Sequence, residues 1–559
     1  MATTTRATLA SRLTSIPLSK LPKSFREAIL ITRRLGYAHI WIDSLCIVQD
    51  DPVDWERESA KMAEIDENAV LTLAASDAVD SQHGCFRDTA KLAGRTSWEA
   101  TVAPFDPRVV RPGPVGPQQV PVRRVDMSLV TRGNAQDLAF KEQVHATKRD
   151  TGDQVKIKRN ENGTIGVERF EPHRKGPVPV GGGGGVKWLL RPTLGHGEFD
   201  ADSYQNSPPF PLTSRGWALQ ERLLSTRIVH YTAEELVWEC KSETWCQCGR
   251  IGRNLKQTAR ESWAEARGKL LKQELEASLG GNAGAVVDMW KLLVFQYTSR
   301  RLTYQSDRLP ALSGLAKRFR RYGMGEYYAG LWEKKFAEQL LWSVIDDPRA
   351  ARNRTKEYVA PTWSWASIKE GVFMGARLID YDNVGFVQPD HEIVGEVVSV
   401  ETTPLGLDQR GAVKDGVLTI RGSVVNAVVE HEMLTDPETK AERVKFWIVD
   451  EVSGQSTHFV PDSAADFDIL REGVPVVCVF WNKGPDISSI PGADEHFVAV
   501  SSTFIVLKAS ERRPGMYERM GTWSLWERSA GTEEELKGST IARVEEVVGN
   551  AVRKTFSVI

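Results

Sequence analysis

The chain has 559 residues, of which 41% are hydrophobic and 26% are charged, and its formal net charge is -2. This length predicts two to four domains, and the near-neutral charge excludes an overall attraction to nucleic acid or to an anionic membrane. No run approaches about 18 apolar residues, so we expect no membrane span. Met1 to Thr8 lacks the apolar core of a secretory signal, and six cysteines without framework spacing are typical of a reducing, cytoplasmic protein.

Helical and extended patterns alternate over the first 75 residues. Apolar residues recur at helical spacing from Phe25 to Leu35, and Gly36 is a natural helix end. A buried strand is predicted from Tyr37 to Ile42, then a helix starting at Asp54, then a strand buried on both sides from Val70 to Ala75. This order predicts a parallel sheet with right-handed crossovers and flanking helices.

The strand before Asp43 runs into an acidic, hydrogen-bonding loop, and open sheets bind ligands at such strand ends. Trp41, Asp43, Cys46 and Gln49 are therefore candidate pocket residues. The alternative is structural: Asp43 caps loop amides and Cys46 packs as a small hydrophobic residue. A nucleophilic Cys46 would need a lowered pKa and a base, and His39 is expected to be buried on the preceding strand.

The pattern dissolves between about residues 91 and 202, which contain a proline-rich stretch and the glycine run Gly181 to Gly185. We interpret this segment as a mobile insertion with a weak hairpin at Gln154 to Phe170. Residues 1–250 are thus predicted to form one α/β domain around the insertion. A helical region is expected over 251–358, an antiparallel β-rich domain over 359–530 and a terminal helix over 531–559.

Several ordered blocks resemble the fungal heterokaryon-incompatibility (HET) domain family. They cover roughly residues 21 to 370 apart from the insertion. The blocks are Gly36 to Asp51, Trp55 to Ala69, Thr213 to Arg227, Trp238-Glu239-Cys240, Arg301 to Gly314, Tyr328 to Trp332 and Ala360 to Ser367.

The resemblance implies non-self recognition that ends in programmed cell death, through protein interaction and self-association. It also implies a TIR-like, flavodoxin-like parallel sheet. Three features depart from the family: no Tyr-x-x-Leu-Ser-Tyr-x-Trp-Gly strand motif precedes Leu21, Asp66 replaces a usual aromatic residue, and the insertion is long. A degenerate, inactive paralogue is therefore an alternative.

Glu221 is the candidate catalytic residue, because it follows Trp217 by four positions and so shares one helical face with it. TIR domains that cleave NAD have this interval. A carboxylate there would stabilise an oxocarbenium-like cation, with NAD as substrate rather than cofactor. Arg215 and Trp217 would belong to the same pocket. The alternative is a structural salt-bridge network joining Arg215, Glu221 and Arg227.

No other motif predicts a cofactor or a metal. Cys240, Cys246 and Cys248 lie near His230, but a Cys-x-Cys pair without a second pair favours ordinary reduced cysteines over zinc. The glycine run is not followed by the Lys-Ser/Thr of a phosphate loop. Trp363 and Trp365 are expected to form a hydrophobic plug between two regions, with sugar binding as the alternative.

Overall fold

The computed structural model describes part of the chain. The described residues are 2–86, 98–102, 143–147, 154–159, 165–170, 186–190, 210–233, 235–246, 272–281, 283–344, 354, 357–369, 371–374, 392–435, 442–450, 456–463, 473–483, 499–528, 548 and 551–559.

Helices and strands alternate unevenly, with most helices in the first 340 residues and long strands after them. The helices are α1 Arg6–Thr14, α2 Lys23–Arg34, α3 Asp43–Cys46, α4 Pro52–Ser59, α5 Met62–Asn68, α6 Gly216–Leu224, α7 Lys272–Leu279, α8 Ala283–Thr298, α9 Pro310–Phe319 and α10 Phe336–Gln339. The strands are β1 Thr72–Ala74, β2 Trp98–Val102, β3 Gln143–Thr147, β4 Gln154–Arg159, β5 Ile165–Phe170, β6 Val186–Leu190, β7 Arg227–Tyr231, β8 Leu236–Cys240, β9 Thr244–Cys246, β10 Tyr327–Tyr328, β11 Leu331–Trp332, β12 Trp342–Val344, β13 Val372–Met374, β14 Glu392–Ile393, β15 Glu396–Pro404, β16 Val413–Thr435, β17 Glu442–Asp450, β18 Ser456–Pro461, β19 Val474–Lys483, β20 Ala499–Ala509, β21 Tyr517–Arg528 and β22 Arg553–Val558.

The predicted helix over 25–35 is confirmed as α2, and Gly36 after it has a φ of +84°. The helix predicted from Asp54 is two helices, α4 and α5. Asp51 is the actual N-cap of α4, because its carboxylate accepts hydrogen bonds from the N–H groups of Val53 and Asp54. An aspartate thus caps the helix, but three positions earlier than predicted.

The strand predicted from Tyr37 to Ile42 is wrong. These residues are extended at Ile42, with φ -137° and ψ 117°, but they pair with no strand in the described part of the chain. Tyr37, Ala38, His39 and Ile40 are exposed rather than buried. An apolar run is buried as a strand only where neighbouring strands accept its hydrogen bonds, and here none does.

The N-terminal sheet is mixed rather than all parallel. Its four strands lie in the order β1, β7, β8, β9, and only β1 and β7 run parallel. The predicted strand over 70–75 is therefore confirmed as β1, but it lies at the sheet's end and its first two residues are only half-buried. A mixed α/β region is shown, whereas the TIR-like arrangement stays a prediction.

Parts of the insertion carry strands in the described residues. The predicted hairpin is confirmed, because β4 and β5 pair antiparallel with Gln154 opposite Phe170. β3 adds to that hairpin, and β2 pairs with β6. The remaining insertion residues, including Gly181 to Gly185, lie outside the described residues.

Aromatic rings form the core of the middle region. Trp290 on α8 contacts Phe319, Tyr327 and Trp332 edge to face, with ring centroids 5.1 to 5.8 Å apart. The indole N–H groups of Trp290 and Trp365 both donate to the Gly330 carbonyl at 3.0 Å. Gly330 has a φ of +101°, and a Cβ there would lie 2.6 Å from Trp365, so only glycine fits.

The C-terminal region is β-rich, as predicted, and its pairing closes a ring of strands, called here the barrel. The long strand β16 pairs with β17 on one side and with β19 on the other. The remaining pairs, β17–β18, β18–β21, β21–β20 and β20–β19, complete six antiparallel strands. Alternate side chains of β16 fill the interior of the barrel, together with one aromatic ring each from β20 and β21. The residues are Val425, Ala427 and Val429 on β16, Phe504 on β20 and Trp523 on β21.

A second core joins the barrel to the helices. Side chains on the outer face of the barrel, such as Trp481 and Leu507, belong to the same buried cluster as α6, α8 and α9. Trp363 and Trp365 are 1% and 0% exposed in this cluster. The hydrophobic-plug interpretation is thereby confirmed, because an indole without solvent access cannot stack on a sugar.

The end of the chain adds to the barrel rather than forming a helix throughout. β22 pairs with β16, so residues 553–558 of the predicted terminal helix form a strand. Residues 531–547 lie outside the described residues. Among the helices that the structure describes, none is long and apolar enough to cross a membrane.

Arg519 links the barrel to the middle region. Its guanidinium is 1% exposed, lies 3.6 Å from the Trp342 ring centroid, and donates to the Asp462 carboxylate at 2.9 Å. It also donates to the Leu340 carbonyl at 2.7 Å. Burial raises the pKa of Asp462 and lowers that of Arg519, because each charge loses its water. The pair therefore fixes the position of the barrel against the middle region more than it adds to the stability of the fold.

We expect Arg519→Met to destabilise the protein by about 3–5 kcal/mol, because Asp462 would stay buried without its partner. Arg519→Met combined with Asp462→Leu should cost clearly less. Urea unfolding followed by tryptophan fluorescence measures both, and Arg512→Met, whose side chain is 72% exposed, is the control. Equal losses in the single and double variants would contradict the assigned role of the pair.

Candidate functional site

Helix α6 is held at three points around its circumference. The Trp217 indole donates to Asp307 at 3.0 Å, and the Gln220 side-chain carbonyl accepts from the Gly314 N–H at 2.8 Å. Arg222 donates twice to Glu239, at 2.8 and 3.0 Å. Because successive helical residues are about 100° apart, these anchors fix the direction of the remaining polar residue, Glu221.

Glu221 lies in a crowded position and keeps partial access to solvent. In the described part of the chain its carboxylate has no hydrogen bond and no ion pair. The pKa of Glu221 is raised to about 6, chiefly by burial and next by the negative charge of Asp43, while the Arg215 guanidinium acts in the opposite direction. A carboxyl group with a pKa near neutrality can both donate and accept a proton under physiological conditions.

Asp66 lies on α5, which packs beside α6. A Cβ on Gly314 would contact both Ala63 and Gln220, and Thr226 donates to the Glu67 carbonyl at 2.9 Å. Asp66 is 8% exposed and one of its carboxylate oxygens has no partner. The pKa of Asp66 is raised to about 8, chiefly by burial and next by the negative charge of Glu221, while the Lys272 ammonium acts in the opposite direction. The residue that departs from the family pattern is thus a neutral carboxylic acid beside Glu221 at pH 7.

The predicted loop residues divide into two groups. Asp43 begins α3, is exposed, and accepts a hydrogen bond from the Ser44 N–H at 2.6 Å. Its effect on the pKa of Glu221 brings it to the same site, although the two lie far apart in the chain. Gln49 instead donates within its own loop, to the carbonyls of Asp43 and Ile47. The loop-capping and pocket interpretations of Asp43 are therefore compatible.

Trp41 and Cys46 are joined to Glu221 by no hydrogen bond or ion pair within the described residues. Trp41 is half-buried, and Cys46 is exposed without a hydrogen-bond partner among the described residues. His39 is exposed as well, so the expected buried histidine is wrong. Nothing near Cys46 in this part of the chain supplies the base that a nucleophilic thiol needs.

Arg215 and Trp217 flank Glu221 in different ways. Arg215 is the exposed N-cap of α6 and acts on Glu221 through its charge alone. Arg227 is also exposed, and neither arginine forms an ion pair with Glu221 in the described residues. The proposed Arg215-Glu221-Arg227 network is therefore absent from that part of the structure. Trp217 is half-buried against the main core, with its indole N–H committed to Asp307.

A buried polar chain lies behind α6 that the sequence did not reveal. Ser76 lies 3.0 Å from His230, and His230 lies 3.3 Å from Glu239, the partner of Arg222. All four side chains are at most 4% exposed. The Arg222 and His230 contacts outweigh burial and hold the pKa of Glu239 far below its usual range. The only sequence signal is the period-two spacing of His230 and Ile228 on β7.

The described residues contain no cluster of His, Cys, Asp and Glu that could hold a metal ion. Cys240 and Cys246 lie on the adjacent strands β8 and β9. Cys248 lies outside the described residues.

Comparison with known proteins identifies the N-terminal segment. Residues 2–106 match the family model described as Heterokaryon incompatibility protein (HET). Over these residues, called here the HET segment, the chain is similar to that family. No curated protein and no solved structure matches the chain significantly. The resemblance is thereby confirmed for the blocks Gly36 to Asp51 and Trp55 to Ala69.

The HET match covers more of the N-terminus than the motif blocks do, but it does not reach the blocks after residue 106. It begins at residue 2 and so includes α1, which the motif blocks did not cover. Thr4 ties that N-terminal stretch to the matched loop by donating to the Leu45 carbonyl at 2.6 Å. The block Thr213 to Arg227, which contains Glu221, lies beyond residue 106, so its family resemblance stays a prediction.

Asp66→Asn should stabilise the protein increasingly as the pH rises. The folded pKa of about 8 lies above the unfolded value of 3.8, so folded Asp66 holds a proton that the unfolded chain releases between these values. Stability is therefore lost as the pH rises toward 8. Between pH 5 and pH 8 the variant should gain up to about 4 kcal/mol over the wild type.

Urea unfolding at pH 5 and pH 8 measures this difference. Glu64→Gln is the matched control, because Glu64 lies on the same helix but pairs with Lys317 at the surface. A constant difference between Asp66→Asn and the wild type at both pH values would contradict the assigned protonation.

Proposed function

We propose that this protein acts in fungal non-self recognition as a HET-type signalling protein of the cytoplasm, with programmed cell death as its output. The HET match over residues 2–106 carries this proposal. In this view the protein works through contacts with other proteins and through self-association.

The surface of the HET segment supports a role in protein interaction. Leu30, Leu35 and Tyr37 are 45%, 51% and 44% exposed, and they lie close together in the chain. Grouped exposed apolar side chains are typical of protein interaction sites, whereas single ones are common on any surface. The nearby Arg33 and Arg34 add positive charge to the same stretch.

Inducible expression of the full chain in a filamentous fungus should kill cells, measured by uptake of a membrane-impermeant dye. Arg222→Met should abolish killing, because Glu239 would remain buried without the guanidinium and α6 would lose its anchor to β8. Arg227→Met is the control, since Arg227 is exposed just beyond the end of the same helix. An immunoblot verifies that the wild-type protein is expressed. Survival of cells that express it would overturn the proposal.

A second candidate is NAD hydrolysis at Glu221, favoured by the convergence of Asp43 and Glu221. A carboxyl group with a pKa of about 6 beside a second carboxylate suits the stabilisation of a ribosyl cation as nicotinamide leaves. Trp41 and Trp217 would supply the aromatic walls of the pocket, and Arg215 would contact a phosphate group. The reaction breaks the glycosidic bond and adds water to the ribose.

Glu221→Gln should lower NAD consumption by about 10²- to 10⁴-fold, because the amide cannot carry the charge or the proton. Glu64→Gln, on the neighbouring helix surface, should leave the rate unchanged. Nicotinamide release by the purified full chain, followed by chromatography, is the measurement. Equal turnover in wild type and Glu221→Gln would eliminate this candidate, and absence of both turnover and killing would favour a degenerate paralogue.

A further inference from the structure

The stretch from Tyr37 to Ile42, called here the unpaired segment, has open hydrogen-bonding groups. Among the described residues, no partner binds the backbone N–H or C=O groups of Ala38, His39, Ile40 or Trp41. The Tyr37 N–H closes the turn after α2 by donating to Thr32, and the Ile42 carbonyl accepts from the start of α3. The consecutive residues between these two ends therefore offer both donors and acceptors to the surroundings.

The composition of the unpaired segment favours strand pairing. Tyr37-Ala38-His39-Ile40-Trp41-Ile42 contains two β-branched and two aromatic residues, with no proline, no lysine and no carboxylate. Natural proteins protect an exposed edge with lysine, proline or a bulge, and this segment has none of these in its sequence. Tyr37 and Ile40 are 44% and 37% exposed, so the apolar side chains are accessible as well.

We infer that two copies of this chain associate by antiparallel pairing of their unpaired segments. This inference rests on the self-association included in the proposed function, and it names the residues through which the two copies would associate. The arrangement is two-fold symmetric, so each copy supplies the same strand and the contact closes without forming a filament.

The charges at the two ends of the unpaired segment select the second copy and the antiparallel direction. Arg33 and Arg34 precede the segment, and Asp43 follows it, and all three are exposed. Antiparallel pairing places the basic end of one copy beside the acidic end of the other. A parallel pair would bring arginine to arginine and aspartate to aspartate, which is repulsive.

The pairing also matches side chains across the two strands. When the bend at Ala38 straightens and the two-fold axis passes between His39 and Ile40, Tyr37 of one copy lies opposite Ile42 of the other, and Ala38 lies opposite Trp41. Aromatic side chains opposite β-branched or small ones are favourable cross-strand pairs. Other extended peptides could use the same backbone groups, but they would lack this matched set of charges.

Sedimentation velocity of the purified full chain over a range of concentrations tests the inference. The wild type should dimerise, and Ile40→Lys should weaken the dimer at least about tenfold by placing like charges beside the axis. Val79→Lys makes the same β-branched-to-lysine change at a 66% exposed position of the HET segment and should leave the dimer intact. A wild type that is monomeric throughout, or equal weakening by both variants, would overturn the inference.

The charge argument has its own test. Arg34→Glu should weaken the dimer, and Arg34→Glu combined with Asp43→Arg should restore it, because the exchanged charges face each other again. Failure of the double variant to recover, with both proteins folded by circular dichroism, would overturn the antiparallel arrangement.

Hydrogen exchange tests the location of the interface on the wild-type protein alone. The amides of Ala38 to Trp41 should exchange more slowly as dimer forms, and unchanged exchange in a confirmed dimer would place the interface elsewhere and overturn the inference. The outcomes stay separable from the proposed function: a monomer that still kills cells overturns only the pairing, and a dimer that pairs as described but does not kill overturns only the function.

Discussion

The buried ion pair between Arg222 and Glu239 is the interaction on which the candidate site depends. Both carboxylate oxygens accept from the guanidinium, and the two side chains are 4% and 0% exposed. Glu239 lies on β8, so the pair fastens α6 to the sheet and sets its rotation. Glu221, one position earlier, is thereby placed about 100° around the helix from the sheet-facing Arg222. The buried charge of Arg222 therefore determines the position of the Glu221 carboxylate.

The same geometry accounts for the unusual protonation of two carboxyl groups. Asp66 is 8% exposed on α5, which packs beside α6 and α9. Burial therefore favours its neutral form, and a second carboxylate nearby favours that form further. Among the described residues, Asp43 is the anionic side chain whose charge raises the pKa of Glu221. The Glu221 carboxyl group therefore titrates near neutrality.

The sequence predicted the parts of this structure that rest on local periodicity. Alternation over short apolar runs located some of the barrel strands, namely β17, β19 and β20, and helical spacing located α2 and the helices of the middle region. It could not predict pairing, which depends on residues far apart in the chain. The ring closure at β16 and the parallel contact of β1 with β7 join segments separated by about 50 and 150 residues.

The candidate site was predictable to a similar degree and for the same reason. Asp43 could be chosen because it follows a predicted strand, and Glu221 because it follows Trp217 by four positions on a predicted helix. Asp66 was noted only as a departure from a family pattern, and Arg222, Glu239 and His230 were not chosen. Their role arises from contacts between α6 and two strands, which no spacing in the sequence encodes.

The unpaired segment is where a local pattern and the tertiary structure disagree most clearly. Its sequence has the composition of a buried strand, yet no described strand accepts its hydrogen bonds. Ile42, its last residue, is also the N-cap of α3, and Asp43 follows directly. Any partner strand that fixes the segment must therefore also restrict where Asp43 can lie relative to Glu221. Asp43 raises the pKa of Glu221 and is bonded directly to Ile42, the last residue of the segment. Association of two chains at the segment would therefore change the protonation of Glu221.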